Sequence, residues 1–161
     1  MKKILFLLLF LPIYLIGQNA SPNMYEALTI KVKRGMEDKF EEAVKSHNAK
    51  YHMDSLYEAR LAYNISGPNG GTYTWIMGPT NWSGMDTRPD KGGHDEDWKN
   101  VDQYVESYGS PSYWMMSEKL SHWVEGTNKD KRMIWAFNIK RDKSSRWAEL
   151  VEKVKEVYKE K

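Results

Sequence analysis

The sequence predicts an α+β fold, with one antiparallel sheet, helices packed on one of its faces, an extra helical insertion and a C-terminal helix. Three observations predict it. Residues 25–33 and 57–65 alternate apolar with other side chains at the period of a half-buried strand. Residues 36–53 and 144–160 instead space their apolar positions at the period of an amphipathic helix. The resulting order, βαββ(α)βα, suits helices laid on an antiparallel sheet better than a parallel one.

Taken in order, residues 25–33 align Leu28, Ile30 and Val32 and end at Arg34-Gly35. The following helix gathers Met36, Phe40, Ala43, Val44, His47 and Tyr51 on one stripe, with Glu37 and Asp38 in the first turn, where the helix dipole favours acids. Residues 57–65 align Tyr57, Ala59, Leu61, Tyr63 and Ile65, and Ser66-Gly67-Pro68-Asn69-Gly70-Gly71 supplies hairpin turn chemistry. The returning strand puts Tyr73, Trp75 and Met77 on one face and is expected to stop at Gly78-Pro79, with Trp82 and Met85 in an aromatic loop beyond. After an irregular stretch, a helix is expected from Asp95, with Trp98, Val101, Tyr104, Val105 and Tyr108 on one face. Gly109-Ser110-Pro111 interrupts it before a second helical stretch through Tyr113, Met116, Leu120, Trp123 and Val124. Residues 132–141, with Trp135, Phe137 and Ile139 alternating, read as the last strand, and Trp147, Leu150, Val151, Val154 and Tyr158 stripe the last helix. This pair echoes the first strand and helix at an offset of 107 residues, with Lys33, Arg34, Val44 and Tyr51 repeated identically. Two βα units of equal period would also look alike without being a repeat, and both readings stand.

Residues 1–20 begin Met-Lys-Lys, continue with an apolar run from Ile4 to Ile16 and close on Gly17-Gln18-Asn19-Ala20, the pattern of a secretory signal peptide. The run is shorter than the ~20 residues of a spanning helix. We therefore expect a secreted or periplasmic protein, off the membrane once the leader is cleaved, with residues 21–161 as a single α+β domain. Cleavage would remove Lys2 and Lys3 and leave 22 basic and 22 acidic residues. A formally neutral chain without a basic stripe argues against nucleic acid as a partner. There are no cysteines, so neither disulfides nor a lipid-bearing cysteine can contribute.

In element order, the first strand and helix, the hairpin through Met77 and the final strand and helix resemble the dimeric α/β-barrel superfamily. These are ferredoxin-like modules that include antibiotic-biosynthesis-type monooxygenases and NIPSNAP-like proteins. The resemblance implies a homodimer built sheet to sheet and a pocket between sheet and helices, and it carries no catalytic residue across. The chain departs from that pattern in its long stretch from Thr80 to Gly93 and in its extra C-terminal helix.

Four histidines are present: His47, His52, His94 and His122. His47 lies on the apolar stripe between Val44 and Tyr51, which makes it a buried structural histidine or a general base with Tyr51 beside it. Metal-binding helices commonly pair histidines at i, i+4. His47 and His52 are five apart and should diverge around the axis, so no metal site is expected from them. His94-Asp95-Glu96-Asp97 reads as a solvated helix start, with a cation site involving Asp86 and Asp90 as the sharper alternative. Nucleophile elbows, phosphate loops and dinucleotide fingerprints are missing, and no cofactor is implied. The best-supported function is binding of a small, partly apolar or aromatic molecule by Trp75, Met77, Trp82 and Met85 where the aromatic loop meets His47 and Tyr51. A cofactor-independent oxygenase or isomerase with His47 as base, and a dimeric interaction module, are the alternatives.

Overall fold

A computed structural model of the protein describes residues 23–87, 92–122 and 131–159. The leader read at residues 1–20 lies outside them, as do Asp90, Trp123 and Val124. The chain divides after Met115 into two compact units.

The first unit runs β1 (Met24–Val32), α1 (Glu37–Tyr51), β2 (Ala59–Tyr63), β3 (Tyr73–Thr80), a short α2 (Trp82–Asp86), α3 (His94–Asp102), β4 (Val105–Tyr108) and β5 (Ser112–Met115). Its strands form one antiparallel sheet in the order β2-β3-β1-β4, with β5 also on β1. A βαββαβ chain in the order 2-3-1-4 is the ferredoxin-like arrangement, complete by Tyr108. The helices lie on one face because the alternation of β1 and β3 sends Ile30, Val32, Tyr73, Trp75 and Met77 there. Phe40 and Val44 of α1 and Val101 of α3 close over them in the same buried cluster. Phe40 is fully buried, with its ring centre 5.0 Å from that of Tyr73. Polar ties fix the helix on the sheet: the Trp75 indole donates to Asn48 Oδ1 at 3.1 Å, and the Tyr73 hydroxyl to Glu41 at 2.6 Å.

Several elements differ from the sequence reading. β3 does not stop at Gly78-Pro79 but continues to Thr80 through a bulge, in which Tyr25 alone faces Gly78 and Pro79. A proline is tolerated in a strand at such a bulge because it has no N–H to offer the ladder. The helix begun at His94 ends at Asp102 instead of running to Tyr108, and Val105–Tyr108 and Ser112–Met115 are strands, not helix. Edge pairing decides this. β4 takes the Ile30–Val32 half of β1 and β5 the Met24–Ala27 half, so the two lie end to end along one strand.

In the second unit, α4 (Ser144–Lys159) forms as expected, preceded by a 3₁₀ turn at Arg141–Lys143. The Phe137 and Trp147 rings stand 4.9 Å apart, and Lys119 pairs with Glu152 at 2.6 Å. Residues 132–140 are not the expected strand and have no regular structure. A strand satisfies its backbone only through a neighbouring strand, and the second unit has none among its described residues. The 107-residue echo therefore extends to the helices alone. Among the described residues, no helix is long and apolar enough to cross a membrane.

Gly78 has a φ of 134°, and a Cβ there would stand 2.6 Å from the Met24 carbonyl oxygen. Gly35, with φ 78°, meets nothing within 4 Å. Gly35→Ala should cost about 1 kcal/mol from backbone strain alone. Gly78→Ala should exceed it, since its strain of about 1–3 kcal/mol is compounded by the clash. Urea midpoints should rank wild type, then Gly35→Ala, then Gly78→Ala; the reverse order for the two variants would contradict the tight β1–β3 bulge.

Candidate functional site

The site forms where the C-terminus of α1 meets the N-terminus of α3. His47 follows Phe40 and Val44 on the buried stripe of α1 and is itself 0% exposed. On α3, residues three and four apart share a face, so His94, Asp97, Trp98 and Val101 turn together toward α1. Asp97 is the tie between the helices: its Oδ2 accepts from His47 Nδ1 at 2.9 Å and its Oδ1 from Lys50 Nζ at 2.6 Å. The Lys50 bond, reinforced by that of His47, holds the Asp97 carboxyl below its ordinary pKa against the opposing effect of burial.

His52 completes the group, and here the structure corrects the sequence reading. An ideal helix would rotate His52 away from His47, but α1 ends at Tyr51. His52 caps it at φ −123°, ψ 34°, with its N–H still bonded to Asn48 O. That non-helical backbone swings the ring inward, so His52 Nε2 lies 3.3 Å from His47 Nε2 and 3.2 Å from His94 Nε2. The donor atoms of all three rings lie within 4.8 Å of one another. His47 and His52 therefore do not diverge, and the expectation of no metal site rested on a helix continued past Tyr51 to residue 53.

The opposite edge of each ring assigns its tautomer. His52 Nδ1 faces the Tyr57 carbonyl oxygen at 2.8 Å, which can only accept. His47 Nδ1 faces Asp97, and His94 Nδ1 faces Asp95 Oδ1 at 2.9 Å. With Nδ1 carrying the proton in each neutral ring, three Nε2 lone pairs converge. Burial favours the neutral form, pushing His52 down to about 4, further lowered by its neighbours His47 and His94 and opposed by the Tyr57 bond. Burial lowers His47 as well, against the raising effect of the Asp97 bond.

A cavity of about 520 Å³ opens beside the cluster. His52 and His94 form part of its wall, Leu28, Trp75 and Met77 come from the sheet, and Met85 and Trp98 from α2 and α3. Trp98 is held by a bond from its indole to the Tyr108 hydroxyl, which in turn donates to Asp102. A second groove of about 480 Å³, between α1 and β2, shares only His52 and is bordered by Glu41, Lys45 and Arg60.

Of the residues singled out from sequence, Trp75, Met77 and Met85 line the larger cavity, while His47 sits behind its wall. Tyr51 stacks at the edge, its ring centre 5.1 Å from that of His47 and 5.3 Å from that of His94. Trp82 does not join them: it is 58% exposed and pairs with Tyr113 at 6.1 Å. Asp86 is exposed, and His94 gathers with His47 and His52. Sequence reasoning missed His52, Asp97 and Trp98 as site residues. The usable signal was that a histidine next to a helix end need not follow the helix's angular spacing.

No family model matches the sequence, and no curated protein matches it. Among solved structures, the chain is similar to a Bordetella bronchiseptica protein named as a candidate antibiotic biosynthesis monooxygenase, with 16% identity and a TM-score of 0.48 over 59% of this chain and 98% of that one. It is also similar to an Arabidopsis thaliana protein, with 13% identity and a TM-score of 0.48 over 59% and 96% of the two chains. A dimeric Bacteroides fragilis protein of unknown function and ferredoxin-like fold gives 12% identity and a TM-score of 0.43 over 60% and 98%. Likeness at this level assigns no activity.

Because the folded protein lowers the His52 pKa, it binds fewer protons than the unfolded chain between about pH 6.5 and 4. The contribution of this ring to stability is whole above pH 6.5 and is lost as pH falls toward 4. In EDTA, thermal unfolding of His52→Asn should therefore lose less stability across that window than wild type. Parallel curves for the two proteins would contradict it.

Proposed function

We propose that the protein binds a small, partly apolar molecule in the 520 Å³ cavity, with an aromatic or aliphatic body against Leu28, Trp75, Met77, Met85 and Trp98 and a polar end toward His52 and His94. The observation that carries this reading is the joining of a mainly apolar floor to an imidazole wall in one concavity, the usual composition of a ligand site. Trp82 has no part in it. The alternative of an oxygenase or isomerase with His47 as base has less support, because His47 is fully buried and does not line the cavity.

The proposal includes export, on the strength of the basic and apolar leader, and a homodimer. Tyr25, Ala27, Ile76 and Trp114 occupy the sheet face opposite the helices, and none of them is buried. Trp114→Asp should then lower the mass found by sedimentation equilibrium from two chains to one. An unchanged mass would remove this face from consideration.

For the cavity, a screen of small aromatic acids and phenols should shift tryptophan fluorescence, reporting on Trp75 and Trp98. Met77→Trp, which fills the cavity, should weaken any hit at least 10-fold, whereas Trp82→Ala should leave it unchanged. A screen without hits, or a hit that ignores Met77→Trp but is lost in Trp82→Ala, would overturn the reading.

A further inference from the structure

We propose that His47, His52 and His94 together bind one divalent first-row transition-metal ion, best matched by Zn²⁺, through their Nε2 atoms. The ion would keep a fourth position turned to the cavity. The second half of this inference rests on the small-molecule reading above, because it makes the polar end of the ligand a donor to the metal.

The geometry carries the first half. Two nitrogens bound to one tetrahedral zinc ion at 2.0–2.1 Å stand about 3.3–3.4 Å apart. The His52–His47 and His52–His94 separations are 3.3 and 3.2 Å. The same distances exceed the ~2.9–3.0 Å of a good N–H hydrogen bond, and the assigned tautomers leave lone pairs, not protons, between the rings. Three lone pairs so placed repel one another unless a cation lies between them. The third edge, within 4.8 Å, must shorten for all three to bind. His94 is placed to do this, on the first residue of α3 just after Gly92-Gly93, whereas His47 and His52 are fixed in the core.

The outer bonds are those a metal site requires. Metal-bound imidazoles donate their remaining N–H to a carboxylate or a backbone carbonyl, which fixes the ring and raises its basicity. Asp97, the Tyr57 carbonyl and Asp95 supply one such partner to each ring. Three neutral nitrogen ligands leave the ion its full double charge, and His52 and His94 are the two ligands that border the cavity. An incoming ligand would therefore present a carboxylate, phenolate or similar anionic donor, with its apolar body on Trp75 and Met77.

The experiment uses EDTA-treated, dialysed full-length protein. Calorimetric titration with Zn²⁺ should give one site per chain, and Co²⁺ should develop the intense visible bands of four-coordinate cobalt. His94→Ala, at a partly exposed ligand and therefore expected to fold, should weaken Zn²⁺ at least 100-fold, and Asp97→Asn by about 10–100-fold. His122→Ala, outside the cluster, should bind as wild type, and circular dichroism should show every variant folded. Zinc binding that is weak, that survives His94→Ala or that disappears with His122→Ala would overturn the site. Azide should perturb the cobalt spectrum; a spectrum indifferent to azide would overturn the open fourth position. Organic hits that bind equally with and without EDTA would leave the cavity reading standing while removing the metal from it.

Discussion

The hydrogen bonds that β1 makes along both of its edges are the constraint on which the other elements depend. β3 occupies one edge, and β4 and β5 share the other end to end. With β1 central, the face carrying Ile30, Trp75 and Met77 is wide enough for two helices. Those helices must lie with the end of α1 against the start of α3. Packing of this kind is non-directional, so the sheet alone would tolerate some sliding of the helices. Asp97 removes that freedom by bonding His47 and Lys50 at once.

The same arrangement decides the chemistry available at the site. A lone buried histidine can choose either tautomer, and a pair usually settles into an N–H···N bond. Here every Nδ1 has an acceptor on its outer side, so the choice is made for all three rings and the inner nitrogens face one another. Such convergence is costly in a protein interior unless it serves a cation. The cavity then adds a mainly apolar floor of Leu28, Trp75 and Met77, with Glu26 of β1 and Asp95 as carboxylates on the same lining.

The long segments of a single period were legible from sequence. β1, α1, β2 and most of β3 follow their apolar spacing, and α4 does so in the second unit. Val105–Tyr108 and Ser112–Met115 were not, because four residues fit a helical and an alternating period equally well and only the available edge of β1 chooses between them. Residues 132–140 show the opposite failure, since their alternation is clear while a strand needs a partner that spacing cannot supply. At the site, His47 was legible from its stripe, and Trp75 and Met77 from their strand. His52 was hidden because the helical spacing was carried past Tyr51, where the helix ends. His94 and Asp97 lie some 40 to 50 positions along the chain, and their approach depends on the β3–α3 crossing that no local pattern encodes.

Lys50 is the outermost member of the line that runs through Asp97 to His47, and its side chain is half exposed while the imidazole is wholly enclosed. Burial is the main cause that lowers the proton affinity of His47, and the positive charge of Lys50 adds to it in the same direction. An ammonium in contact with water thus acts on a ring that water does not reach. The interior histidine is governed mainly by its enclosure, with a lesser contribution that reaches it from a charge at the protein surface.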